Sequence, residues 1–135
     1  MNAPLDQAQL EALAGALAAE LPPRTVIRLE GPLGAGKTTF VKAFARARGA
    51  TVEATSPTYT IAHRYPSTRG DVWHLDCYRL RNVESAADLD WETLATADAV
   101  LVEWPERAGA YLLPTNCTVT LEHVDEHHRR ATVTR

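Results

Sequence analysis

Gly31-Pro32-Leu33-Gly34-Ala35-Gly36-Lys37-Thr38 is the stretch of sequence that decides the fold of this chain. It consists of a glycine, four intervening residues and then Gly-Lys-Thr, which is the pattern of a phosphate-binding loop. In such a loop the glycines let backbone N–H groups close around phosphate oxygens, and the N-terminus of the following helix adds partial positive charge. The pattern therefore predicts a nucleotide site in which Lys37 reaches the β- and γ-phosphates and the Thr38 hydroxyl ligates Mg²⁺.

The segments on either side of the loop are those that the pattern requires. Thr25 to Leu29 is β-branched and apolar, which indicates a buried strand. Lys37 to Arg48 places Phe40, Val41 and Phe44 at helical spacing, which indicates a helix with one apolar face. A glycine-rich turn that merely precedes a lysine is the alternative, and the order of strand, loop and helix argues against it.

The rest of the chain mixes helices and hairpins. Asp6 to Glu20 has leucines at helical spacing with Asp6 as the N-cap, and Ala99 to Val102 is typical of a buried central strand. We therefore predict one α/β domain over residues 1–135, with a P-loop NTPase-like three-layer fold and a sheet of mixed parallel and antiparallel strands. The two predicted hairpins join Tyr59 to Tyr65 with Asp71 to Tyr78, and Cys117 to Glu122 with Ala131 to Thr134, while one or two short helices fall within Val83 to Ala97.

Composition excludes several classes of function. The 135 residues carry a net charge of −3 with a pI near 5.9, so no basic face for nucleic acid is implied, and any involvement with RNA is expected to run through a partner. No basic signal-peptide segment opens the chain, and no apolar run approaches membrane-spanning length. Cys77 and Cys117 have no metal-ligand spacing, and we interpret them as buried thiols in a reducing compartment. We therefore expect a cytoplasmic protein without a membrane partner.

Two acidic residues are candidates for chemistry. Glu103 ends the buried run, where nucleotide-binding folds of this kind place an acidic group for the metal; an exposed strand-end glutamate is the alternative. Strand alternation puts His74, Asp76 and Tyr78 on one face, opposite Trp73, Leu75 and Cys77. These residues leave open whether Asp76 is solvated or belongs to a polar site, where it would orient the attacking water or hold a metal-bound one.

Other polar and aromatic residues are less decisive. Ser56, Thr58 and Thr60 lie where many such proteins sense the γ-phosphate, although ordinary turn chemistry explains them equally well. Trp104 directly follows Glu103 and is either a core residue or a lid over the site. The histidines at 123, 127 and 128 stand beside acidic residues, which favours a solvated loop over a metal site.

Four motifs together resemble one known family. Over nearly the whole chain, they occur in the order and spacing of the TsaE (YjeE) family, which comprises bacterial ATPases required for threonylcarbamoyladenosine formation in tRNA. The resemblance implies ATP and Mg²⁺ as cofactors, and a TsaD–TsaB heterodimer as the partner whose turnover the ATPase supports, with tRNA involved only through that complex. The motifs are Gly-Pro-Leu-Gly-Ala-Gly-Lys-Thr-Thr-Phe (31–40), Ser-Pro-Thr-Tyr-Thr (56–60), His-Leu-Asp-Cys-Tyr-Arg-Leu (74–80) and Val-Glu-Trp-Pro-Glu-Arg (102–107).

The same resemblance implies a set of site residues. Thr38 and Glu103 are implied as Mg²⁺ ligands, and Asp76 and Trp104 as further members of the active site. Lys37, Asp76 and Glu103 are the expected catalytic residues. The expected nucleotide cradle is Gly31, Leu33, Gly34, Ala35, Gly36, Lys37, Thr38 and Thr39. Family members also contact the nucleotide from the N-terminal helix and the C-terminal hairpin, where Gln7, Gln9 and Arg129 are the candidates.

Three functions are compatible with a phosphate-binding loop in a chain of this length. An ATPase that drives a partner enzyme is the interpretation that the resemblance implies. A small-molecule kinase is the alternative, but this chain has little room for the lid and substrate-binding insertion that such kinases carry. A GTPase switch is less favoured because the usual Asn-Lys-x-Asp run is absent. Neither Arg79 nor Arg107 has a context that fixes it on the γ-phosphate, so we expect slow hydrolysis that partners accelerate.

Overall fold

The computed structural model of the chain describes residues 3–32, 34–51 and 61–135. Helices and strands alternate along most of this length, as the mixed pattern predicted. The elements are α1 (Gln7–Glu20), β1 (Thr25–Glu30), α2 (Lys37–Ala47), β2 (Ala62–Tyr65), β3 (Val72–Asp76), α3 (Trp91–Ala95), β4 (Ala99–Glu103), β5 (Cys117–Asp125) and β6 (His128–Thr134). Short 3-10 helices occupy Cys77–Arg79, Val83–Asp88 and Pro105–Tyr111.

The strands form a sheet in the order β2-β3-β4-β1-β5-β6. The four inner strands β3, β4, β1 and β5 pair in parallel. At the two edges, β2 pairs antiparallel with β3, and β6 pairs antiparallel with β5. The predicted mixed sheet is therefore confirmed, and its parallel centre directs the carboxyl ends of β1, β3 and β4 to one edge.

Two layers of helix cover the sheet, which confirms the predicted three-layer fold. Every residue of β4 is buried, and its side chains alternate between the two faces. Leu101 packs in the core that includes residues of α1 and α2, whereas Val100 and Val102 pack in the core that includes Ala86, Leu94 and Ala108. Such burial on both faces explains why this strand lacks the polar alternation of an edge strand.

Arg48 connects the two helices of one layer to the sheet. Its side chain is 1% exposed, and its guanidinium donates to Ala18 O at 2.7 Å and to Leu21 O at 2.9 Å, at the end of α1. It also pairs with the carboxylate of Asp98, directly before β4, at 3.0 Å. A buried charge is tolerated here because hydrogen bonds and an opposite charge surround it. Arg48 thereby ties the C-terminal end of α2 to the end of α1 and to the start of β4.

Two predicted boundaries are wrong. β3 ends at Asp76, and Cys77 and Tyr78 belong to a 3-10 helix, so strand alternation does not extend to Tyr78. The second hairpin is longer than predicted, because pairing continues to Asp125 opposite His128 and leaves a two-residue tip. The residues of this extension are mostly polar, so they carry no hydrophobic alternation to signal a strand. Among the helices of the described ranges, none combines the length and apolarity needed to cross a membrane.

Candidate nucleotide-binding site

The phosphate-binding loop lies between β1 and α2, at the edge of the sheet where the parallel strands end. Leu29 of β1 is in register with Glu103, the last residue of β4, and Glu103 is in register with Asp76, the last residue of β3. Ligands of open parallel sheets bind at this edge. The fold therefore brings the loop and both predicted acidic residues to one place.

Glycine is required at particular positions of the loop. A side chain at Gly31 would overlap the carbonyl oxygen of Leu121 on β5, so only glycine lets the backbone pass. Gly34 and Gly36 adopt φ angles of 80° and 99°, in the left-handed region that other residues rarely occupy. Gly36 is also the N-cap of α2 and provides no side-chain cap, so the first N–H groups of the helix remain for a ligand.

A cavity of about 330 Å³ opens at the N-terminus of α2. It contains the exposed Thr38, the predicted metal ligand, together with Glu103. A neighbouring cavity of about 270 Å³ lies beside Trp104, and Lys37 lines both. The larger cavity is lined by Gln7, Gly34, Gly36, Lys37, Thr38, Thr39, Glu103 and Arg129.

Lys37 is paired within the chain. Its ammonium donates to Gly31 O at 2.6 Å and lies 3.2 Å from Glu103 Oε1. The other oxygen of the same carboxylate, Oε2, bonds to His74 Nε2. Lys37, Glu103 and His74 are 5%, 7% and 6% exposed, so this network is almost fully removed from water.

The network sets the charge of Glu103. Burial alone would raise the pKa of this carboxyl, but the hydrogen bond and charge of His74, with the ammonium of Lys37, lower the pKa below its ordinary value. Glu103 is therefore an anion at neutral pH. Its Oε1 atom faces Lys37, and its Oε2 atom is bonded to His74.

Arg129 reaches the same cavity from the C-terminal hairpin. Its backbone forms two hydrogen bonds with Leu5, of 2.7 and 2.9 Å, which join the segment before α1 to β6. A side chain at Gly36 would come within 3.3 Å of Arg129 Nε. This Nε atom is buried without a hydrogen-bond partner. A buried donor lacking a partner costs free energy, so Arg129 is suited to an anionic or polar ligand in the cavity.

Trp104 is half-buried: it lines the cavity of about 270 Å³ and packs against the core that includes Leu94 and Ala108. Its φ angle is 53°, which is unusual for a residue with a bulky side chain. Lys37 Nζ lies 5.0 Å from the centroid of its ring, and the ring of Tyr78 is 5.1 Å from it. Arg107 in turn lies 4.8 Å from the Tyr78 ring, so a cation flanks each end of an aromatic pair.

The structure places the remaining candidates as follows. Asp76 is adjacent to Glu103, and one of its carboxylate oxygens accepts from the backbone N–H of Tyr78 at 3.2 Å. Gln9 closes a capping box with Asp6, whereas Gln7 lines the cavity. In the described ranges, the histidines do not join a cluster of three or more metal-ligating side chains. Leu33, Ser56, Thr58, Thr60 and the side chain of Arg79 lie outside the described residues.

The principal residue that sequence analysis missed is His74. Alternation had placed it on the face of Asp76, but gave no reason to assign it a partner. The partner became evident only when β3 and β4 were placed side by side, because Glu103 comes from a strand 29 residues later. One signal was present in the sequence: His74 lies two residues before Asp76, on the same face of the strand as this candidate site residue.

A phosphate-binding loop between the first strand and its helix, on a parallel-centred sheet with helices on both faces, defines a P-loop NTPase fold. A crystal structure of Bacillus subtilis YdiB has this fold, with a TM-score of 0.71 and 28% identity over 98% of this chain and 86% of that one. The family model described as threonylcarbamoyl adenosine biosynthesis protein TsaE matches residues 5–132, and the chain belongs to the TsaE family.

Two relatives give the extent of the similarity. The tRNA threonylcarbamoyladenosine biosynthesis protein TsaE of Rickettsia felis is 32% identical over 132 residues, which are 95% of this chain and 75% of the relative. The protein of the same name from Bacillus subtilis is 34% identical over 126 residues, covering 93% of this chain and 79% of the relative. The resemblance stated from the four motifs is therefore confirmed.

Proposed function

We propose that this chain is a single-domain ATPase that binds ATP with Mg²⁺, hydrolyses it slowly, and supports threonylcarbamoyladenosine modification of tRNA. The observation that carries this proposal is the arrangement of Lys37, Thr38 and Glu103 on one cavity at the N-terminus of α2. A cation, a hydroxyl and a buried carboxylate meet there beneath a glycine loop. This is the set of groups that phosphoryl transfer requires.

The residues present fit a Mg²⁺ ion. Magnesium prefers hydroxyl, carboxylate and water oxygens, and Thr38 and Glu103 supply the first two on the same cavity. Glu103 is ionised at neutral pH because its pKa is lowered, as a metal ligand requires. When bound, the ion would neutralise charge on the β- and γ-phosphates.

The other roles follow from position. The phosphates would be held by backbone N–H groups of the loop from Gly31 to Thr39, including those of Leu33 and Ala35. The ammonium of Lys37 would move from Glu103 to the phosphates. Asp76, at the end of the neighbouring strand, would orient the attacking water. Arg129 and Trp104 would contact the nucleotide from the two sides of the loop.

Slow hydrolysis is expected because Arg107, which follows the Glu103 motif, is held against Tyr78. Arg107 lies over the ring of Tyr78, and its Nη1 contacts Tyr78 O at 3.4 Å, so it is held at the rim. A partner that completes the site could then accelerate turnover, since one arginine contributes on the order of 10³–10⁵ in rate. We infer a TsaD–TsaB-like heterodimer in the cytoplasm as that partner from the motif resemblance alone; the names of the relatives support only the tRNA threonylcarbamoyladenosine pathway.

Binding and turnover test the proposal separately. Calorimetric titrations with ATP and GTP, with and without Mg²⁺, should show binding that prefers ATP and is strengthened by Mg²⁺. Thr38→Val should remove the strengthening, while Thr134→Val, at an exposed position of β6, should not. A steady-state assay should give slow ATP hydrolysis that rises with TsaD–TsaB-like partners. Fast hydrolysis unchanged by partners, or transfer of phosphate to a small-molecule acceptor, would contradict the proposal.

A further inference from the structure

We propose that His74 is a positioning residue that fixes which oxygen of Glu103 is available to the metal and the phosphates. This inference deepens the proposed function and rests on it. Nothing in the sequence motifs assigns His74 such a role.

His74 and Glu103 are diagonal neighbours on adjacent strands. His74 is in register with Leu101, two residues before Glu103, so both side chains lie on the face that α1 and α2 cover. Diagonal neighbours are within reach of long and aromatic side chains. The imidazole bridges this gap with Nε2, which donates its proton to Glu103 Oε2.

The hydrogen bond divides the carboxylate into two unlike oxygens. Oε2 is committed to His74, whereas Oε1 is 3.2 Å from the ammonium of Lys37, which the phosphates of a bound nucleotide would draw away. A glutamate has three side-chain torsions, and without an anchor it would sample several orientations within the cavity. His74 therefore holds Oε1 in place for the incoming ligand, as outer partners orient metal-binding carboxylates elsewhere.

A merely structural role would predict something different. If His74 only satisfied a buried carboxylate, then replacing it would lower stability and would leave the Mg²⁺ dependence of nucleotide binding unchanged. Positioning instead predicts a specific loss in metal dependence, restored by any side chain with a donor at the location of Nε2.

Glutamine and asparagine separate these cases. The amide nitrogen of glutamine is as many bonds from the backbone as Nε2 of histidine, whereas that of asparagine corresponds to Nδ1. His74→Gln can therefore donate to Oε2, and His74→Asn cannot reach it. His74→Leu removes the donor altogether. His128→Gln is the matched control, because the imidazole of His128 pairs with Asp125 on the exposed hairpin.

Calorimetry measures two quantities for each variant. The first is the Mg²⁺ concentration at which the strengthening of ATP binding is half complete, and the second is the ATP affinity in EDTA, without the metal. We expect His74→Leu and His74→Asn to raise this concentration about 10- to 100-fold, the usual effect of losing an outer-shell partner. His74→Gln and His128→Gln should stay close to the parent. ATP affinity in EDTA should be unchanged in all four variants.

Each other outcome overturns the inference. An unchanged Mg²⁺ requirement in His74→Leu excludes positioning, and so does equal impairment of the Gln and Asn variants. If His74→Leu does not fold, the comparison of Gln with Asn decides alone. If the parent chain shows no Mg²⁺-dependent ATP binding, the proposed function fails first, and this inference fails with it.

Discussion

Replacing Lys37 by methionine tests the centre of the site with little change of shape. The methionine keeps an apolar stem in a position that is 5% exposed and removes only the ammonium. In the parent chain that ammonium bonds Gly31 O at 2.6 Å and Glu103 Oε1 at 3.2 Å. The substitution therefore affects both the empty protein and its complex with nucleotide.

The two effects have separate magnitudes. Loss of a charge-assisted bond to phosphate costs about 1.5–3 kcal/mol, which corresponds to a fall in ATP affinity of about ten- to a hundredfold. We expect the fall in ATP affinity to lie below the upper end of this range. In the parent, the ammonium gives up its pairing with Glu103 when it binds the phosphates, so its net contribution to affinity is smaller. In the empty protein, Glu103 keeps His74 but loses Lys37, which should lower the free energy of unfolding by about 1–3 kcal/mol.

Calorimetric titration with ATP and thermal unfolding without it measure the two effects. Lys42→Met is the matched control, because Lys42 is the only other lysine of the chain and lies about one and a half turns further along α2. It should leave ATP affinity at the parental value. If Lys37→Met binds ATP as tightly as the parent, the ammonium does not contact the phosphates and the assignment of the site is wrong.

Three further predictions concern other parts of the molecule. Arg48→Met should lower the free energy of unfolding by about 3–5 kcal/mol, because Asp98 loses its partner, whereas the exposed Arg46→Met should not; equal chemical denaturation curves would contradict this. With Trp73 and Trp91 replaced by phenylalanine, Mg-ATP should change the emission of Trp104, since Lys37 leaves its ring; a flat titration despite binding would show that the ring is unaffected. Burial, with nearby carboxylates, raises the pKa of Cys77 to about 12, and burial raises the pKa of Cys117. Both thiols should therefore resist a thiol reagent at neutral pH until the chain is unfolded, and rapid labelling of the native protein would refute their protection.

Local signals predicted the parts of the fold that depend on neighbouring residues. The phosphate-binding loop, the Asp6 N-cap of α1 and the buried strand β4 each follow from a few consecutive side chains, and the structure has all three. The hairpin tip at Glu126 and His127 could not be located, because polar strand residues resemble loop residues. The end of β3 was predicted too late for another reason: Asp76 caps a 3-10 helix by accepting from the backbone N–H of Tyr78, and alternation does not signal this.

Contacts between distant segments were beyond the sequence. The bond between His74 and Glu103 depends on the order of strands in the sheet, which alternation does not specify. Arg48 was interpreted only as the end of a helix, whereas it binds carbonyls of α1 and the carboxylate of Asp98, 50 residues away. Arg129 was a candidate without supporting geometry until its pairing with Leu5 placed it at the cavity.

The pair of aromatic rings with a cation at each end has a thermodynamic consequence. Lys37, Trp104, Tyr78 and Arg107 follow one another at 5.0, 5.1 and 4.8 Å, from the buried loop to the exposed rim. Ligand phosphates that draw Lys37 away remove a cation worth about 0.5–2 kcal/mol from one ring face. Any protein that binds the rim more tightly after that removal must, by reciprocity, tighten the binding of nucleotide by the same factor. Binding of nucleotide at the loop and binding of a partner protein at the rim would then be thermodynamically coupled, and each would strengthen the other.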